Sequence, residues 1–203
     1  MERVIAYIDG FNLYFGLKSS KWQRYYWLNL QLMVQNLLKP NQTLIYTKYF
    51  TSRIATPIGK HKRQTTYLDA LATLQNFSIT YGKYQHNPHI CQNCGNVEVI
   101  PNEKMTDVNI AVDLLGDAYL DRYDSALLIS ADSDLTAPIK QVHQLFPNKQ
   151  IVVVFPPKRV SKDLMNIASA YYFLGRETIT KSQFPVHVTS ISGFVLTKPS
   201  KWV

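Results

Sequence analysis

The feature that most constrains this chain is an alternation of short, β-rich runs with stretches of helical periodicity, repeated along most of its length. RVIAYI (3–8), TLIYTKYF (43–50), SALLIS (125–130) and QIVVVF (150–155) are short runs dense in branched and aromatic residues, which is the composition of strands. Residues 78–84 read as a further strand. Helical patterns fall between them at 28–38, 60–76, 107–120, 135–145 and 161–172. Strands that alternate with helices are joined by crossovers, and crossovers yield parallel sheets covered on both faces. The expected fold is α/β, a three-layer arrangement with a central, mostly parallel sheet of about five strands.

Some element boundaries are marked. Asn29 is a candidate cap, with Pro40 just beyond the end of its helix. In the helix at 60–76 the apolar positions are Tyr67, Leu68, Leu71, Ala72 and Leu74. In the helix at 107–120, Val108, Ala111, Val112, Leu115, Ala118 and Tyr119 are expected to face the core, with Asn109, Asp113 and Asp117 on another face. Residues 85–103 break the alternation with turn formers and both cysteines, and read as an insertion at the edge of the fold. Beyond Gly175 the signals weaken. We therefore expect one domain over 1–175 and an extension over 176–203, docked or mobile.

Composition removes several classes. A hydrophobic fraction of 46% argues against disorder. No apolar run approaches the ~20 residues of a spanning helix, and MERVIAYIDGFN reads as a first strand and not a signal peptide. Two cysteines give no disulfide framework, so a cytoplasmic protein with no membrane partner is expected. A net charge of +8 favours polyanions such as nucleic acid or an anionic membrane surface.

The acidic residues that carry chemistry follow strands. Asp9 lies just past the apolar part of the first strand, and Asp132 and Asp134 just past the run SALLIS. Asp107 opens the helix that leads into that run. In open α/β sheets, ligands bind beyond the carboxyl ends of the strands, where strand order reverses. If the first and fourth strands are neighbours, these acids converge, repel one another and call for a divalent cation, Mg²⁺ or Mn²⁺ by the hardness of the oxygen donors. Such a site suits phosphodiester cleavage. Each acid alone also has a structural account: Asp107 and Asp134 as helix caps, Asp9 with Gly10 as a turn. Their common position is what those separate accounts leave unexplained.

YIDGFNLYFGL, EKMTDVNIAVDLLGDAYLDRYDSALLISADSDLTAPIK and FPPKRVSKDLMNIASAYYF resemble, in order and spacing, the NYN domains, specifically the LabA-like (DUF88) branch of the PIN-like nucleases. The resemblance spans about residues 3–175. It implies a PIN-like fold and a Mg²⁺- or Mn²⁺-dependent ribonuclease acting on single-stranded or structured RNA. By position, Asp9, Asn12, Asp107, Asp132 and Asp134 match the family's catalytic residues, with the four aspartates as metal ligands and Asn12 positioning Asp9. Lys104 and Asp113 match supporting positions. Ala131 stands where the family usually has glycine, a difference that matters only if that residue needs a positive φ.

Cys91 and Cys94 form a C-x-x-C that His86 and His89 can complete as a zinc site; the other account is a redox-sensitive pair beside solvated histidines. Lys60, Lys62 and Arg63 (with His61 among them) and Lys158 and Arg159 (near Lys162) follow strand ends and are expected to guide RNA phosphates. Trp22, Tyr25, Tyr26 and Trp27 read as core or homodimer packing in preference to base stacking.

Rival enzymes lack their residues. A haloacid-dehalogenase-type phosphatase needs a second aspartate where Phe11 stands, and no G-x-G-x-x-G follows the first strand. The remaining alternative is a non-catalytic RNA-binding or scaffold module.

Overall fold

Six segments pair as one parallel sheet in the computed structural model, which describes residues 1–90 and 94–202, with 84–90 and 97–103 described by backbone alone. They are β1 (Glu2–Asp9), β2 (Gln42–Thr51), β3 (Phe77–Tyr81), β6 (Ser125–Ile129), β7 (Gln150–Phe155) and β8 (Ala170–Phe173). The order is β3-β2-β1-β6-β7-β8, with every neighbouring pair parallel. The chain winds outward from β1 to β3, then returns to the other side of β1 at β6. Strand order therefore reverses between β1 and β6, the position beyond whose carboxyl ends open α/β sheets bind ligands.

Side-chain alternation divides the interior into two cores. Val4, Ala6 and Ile8 of β1 and Leu127 and Ile129 of β6 join one cluster; Ile5 and Tyr7, with Ala126 and Leu128, join the other. The first is covered by α1 (Gly10–Ser19), α2 (Leu30–Gln35), α3 (Ile58–Leu71) and α7 (Arg176–Lys181), the second by α4 (Thr106–Tyr119), α5 (Thr136–Leu145) and α6 (Lys162–Ile167). Buried on both faces, the central strands have little room for polar residues, which is why SALLIS and VVVF are continuous apolar runs. Asn29 caps α2, its Oδ1 accepting from the backbone N–H of Leu32 at 2.9 Å.

The structure departs from the sequence reading in four places. Residues 161–172 are not one helix: α6 ends at Ile167, and Ala170–Phe173 pairs with β7 as a sixth strand. A run of three aromatic residues beside an available sheet edge favours the strand. A helix over Gly10–Ser19 was not anticipated; its glycines mask it, although Leu13 and Leu17 carry helical spacing. Residues 85–103 lie largely in strands, β4 (Lys83–Ile90) and β5 (Val97–Lys104), which form an antiparallel hairpin of their own. In α4 the buried face is Thr106, Ile110, Leu114, Asp117 and Ala118, while Val108, Val112 and Tyr119 are exposed.

That face joins the apolar stripe Ile110, Leu114 and Ala118 to one charged residue, Asp117. Its carboxylate accepts from the Tyr7 hydroxyl at 2.6 Å and pairs with Lys48 at 2.7 Å and Arg122 at 3.0 Å. Lys48 also reaches Asp113 at 3.3 Å. A buried carboxylate needs such partners; Tyr7 and Lys48 supply them from β1 and β2, and Arg122 from the turn after α4.

Past α7, β9 (His187–Thr189) and β10 (Val195–Thr197) form a small hairpin. Trp202 packs against Tyr26, Trp27 and Tyr67, and the Trp27 indole N–H donates to the Pro185 carbonyl at 2.7 Å. Trp27 is fully buried and Tyr25 nearly so, which makes this part of the aromatic segment core. Among the described residues no helix is long and apolar enough to cross a membrane.

Candidate active site at the carboxyl end of the sheet

Asp9 closes β1 and caps α1. Its Oδ1 accepts from the backbone N–H of Asn12 at 3.0 Å, and its Oδ2 from the Asn12 amide at 2.5 Å and the Ser130 hydroxyl at 2.8 Å. The carboxylate is buried, and burial pushes its pKa up; the bonds from Asn12 and Ser130 act against that. Gly10 makes this tight turn possible. A Cβ there would lie 2.7 Å from the Phe50 carbonyl oxygen and 2.8 Å from the Tyr49 hydroxyl, so only glycine lets α1 start so close to β2.

Asp132 enters from β6, the strand beside β1. It follows Ser130, whose hydroxyl oxygen accepts from the Asp132 backbone N–H at 3.1 Å while donating to Asp9. Asp107 stands in the first turn of α4, after Met105 makes the turn with φ of 82°. One carboxylate oxygen from each of Asp9, Asp107 and Asp132 lies within 4.8 Å of the other two. At that spacing each pair of ionised carboxylates repels by about 3.5 kcal/mol or more in an effective dielectric of about 20. A divalent cation removes that repulsion, and three oxygen donors, one buried and oriented by hydrogen bonds, fit Mg²⁺ or Mn²⁺.

The other acids lie differently. Asp134 is exposed, in the short 3₁₀ turn Ser133–Leu135, and falls outside the three-carboxylate group; its backbone N–H donates to Asp132 at 3.1 Å. Asp113 also falls outside that group and pairs with Lys48. Lys104 is exposed at the end of β5. Ala131 does not have a positive φ, so the missing glycine imposes no strain. Ser130 was not singled out from the sequence, although it begins the motif SADSD.

Among the basic residues, Arg159 is held nearest in bonding terms. Its guanidinium donates to Asn12 Oδ1 at 3.2 Å and lies 5.7 Å from the centroid of the Phe15 ring. Lys158 is exposed in the same turn after β7. Lys60 and Lys62 are exposed and Arg63 half-buried at the start of α3, which follows the carboxyl end of β2. The zinc expectation lies outside the described residues at Cys91, and His86 and His89 are described only by the backbone of β4. Cys94 is exposed and free of any disulfide.

The NYN domain family model matches residues 3–175, which contain every residue of this cluster. The chain belongs to the NYN domain family. NYN domains are generally nucleases and act on RNA, and PIN-like nucleases typically use divalent metals. The six-stranded parallel sheet with helices on both faces is consistent with the PIN-like NYN fold. Among solved structures, a protein of unknown function from Vibrio parahaemolyticus is similar, at 17% identity and a TM-score of 0.56, covering 87% of this chain and 94% of that one. At that identity the likeness concerns the fold alone. No curated protein matches this NYN chain.

Proposed function

We propose that this NYN domain is a Mg²⁺- or Mn²⁺-dependent ribonuclease of the LabA-like branch. The observation that carries the reading is the convergence of Asp9, Asp107 and Asp132 where β1 meets β6. A cation held there would supply charge stabilisation and activate the attacking water. Asp9 would hold it with a carboxylate fixed by Asn12 and Ser130, while Asp107 from the first turn of α4 and Asp132 from the end of β6 complete the donor set. Asp134 and Lys104 act at the periphery, and Lys60, Lys62, Arg63, Lys158 and Arg159 bind phosphates of the RNA on either side.

Labelled single-stranded RNA and DNA, incubated with Mg²⁺, Mn²⁺ or EDTA, test this with Asp132→Asn beside the wild type. We expect RNA cleavage in either metal, none in EDTA, and a fall of orders of magnitude in the variant. Binding without cleavage in every metal would make the protein a binding module.

A further inference from the structure

An open groove of about 320 Å³ lies beside the turn that carries Arg159. Its walls are the turn at Pro156–Lys158, the end of β8 with Gly175 and Arg176, and Trp22 beyond the end of α1. Two aromatic residues with accessible surface, Trp22 and Phe173, line it over the fully buried Phe155, and Phe173 is 61% exposed. Two cations, Lys158 and Arg176, line it with no acidic residue among the described lining. Arg176 is held in place: its Nε donates to the Tyr25 hydroxyl at 3.3 Å, and its guanidinium lies 5.9 Å from the centroid of the Trp22 ring.

We propose that this groove seats an unpaired base of single-stranded RNA, stacked on Phe173 and Trp22, with Lys158 and Arg176 on the adjoining phosphates. The inference rests on the nuclease reading and names the form of its substrate. Apolar walls with a few fixed cations match a polyanion whose bases have bare aromatic faces. Continuity with the carboxylate cluster is built in: Lys158 adjoins Arg159, which bonds Asn12, and a Cβ on Gly16 of α1 would lie 2.8 Å from the Pro157 carbonyl oxygen. Helix α1 thus packs on the turn that walls the groove and has Asp9 at its amino end, about 10 Å from Gly16 by the helical rise. Finally, a paired base hides its faces, so the groove discriminates single strands from duplex.

The test measures RNA binding in EDTA, apart from cleavage, by the anisotropy of a labelled oligouridylate of about ten nucleotides. Oligodeoxythymidylate and an RNA duplex serve as further arms. Phe173→Ala should weaken binding of single strands about tenfold and leave duplex binding unchanged, and Phe173→Trp should restore it. Arg176→Gln should lower the slope of log affinity against log salt by about 0.7. Both variants should keep the wild-type stabilisation by Mn²⁺. Single-strand affinity within about twofold of wild type in Phe173→Ala and an unchanged salt slope in Arg176→Gln would overturn the proposal. So would a Phe173→Ala effect confined to oligomer mass in sedimentation, which would make the β8 edge a contact between copies. If the variants behave as expected while wild-type protein cleaves nothing, the groove stands and the nuclease reading fails.

Discussion

Arg159 donates to the side-chain oxygen of Asn12, and the amide nitrogen of that same side chain donates to Asp9. A cation from the turn after β7 thereby orients the amide that orients a buried carboxylate. Asn12→Ala should lower Mn²⁺ affinity and cleavage about 10–100-fold, as loss of an outer-shell partner does. Arg159→Gln should act in the same direction but less, because Asn12 keeps its bond to Asp9. Calorimetric titration of Mn²⁺ into each variant checks the order.

Asp132 and Asp134 are two residues apart and point to different outcomes. Asp132→Ala removes a member of the three-carboxylate group, so Mn²⁺ affinity should fall by about 100-fold or more. Asp134→Ala should cost less than about tenfold, because the backbone N–H that supports Asp132 survives the substitution. Thermal shifts across a Mn²⁺ series separate the two; equal losses would put Asp134 in the coordination sphere.

Gly10 lies between the carboxylate and the second strand. Gly10→Ala forces a methyl group against the Phe50 carbonyl oxygen and should destabilise the fold by about 1–3 kcal/mol in urea unfolding. Because α1 must shift to relieve the contact, metal affinity should fall as well. Ala131→Gly, at a residue without positive φ, should leave metal affinity unchanged and slightly lower stability.

At the opposite end of the sheet, Arg3 grips Asp124, its guanidinium 2.7 Å from Oδ1 and its backbone N–H 2.7 Å from Oδ2. Those bonds from Arg3 hold the Asp124 carboxyl down at about 2. The folded value lies below the unfolded value of about 3.9, so the stabilisation is present above pH ~4 and is lost as pH falls toward 2. Asp124→Asn should lower the melting temperature at pH 7, and the gap from wild type should close between pH 4 and 2. A gap constant with pH would mean the bond to Arg3 contributes nothing through charge.

The alternation of apolar strands and helical patterns was enough to specify an α/β parallel sheet, because period and composition are local properties of the chain. The positions of Asp9 and Asp132 just past strand ends were legible for the same reason. Which residues meet was not. Asp9 and Asp107 are distant in sequence and come together only because strand order reverses between β1 and β6 and α4 is fixed on the sheet through Asp117. Which of two apolar stripes α4 buries was equally undecided by local pattern: Ile110, Leu114 and Ala118 face the core, beside Asp117 with its partner Lys48, while Val108, Val112 and Tyr119 are exposed. The helix at Gly10–Ser19 was hidden because its glycines serve close contacts with Phe50 and Pro157, partners that tertiary packing alone supplies. Residues 170–173 became a strand because β7 offered an open edge. The chain determines its elements and their chemistry residue by residue; their convergence into one site depends on long-range packing that no local pattern encodes.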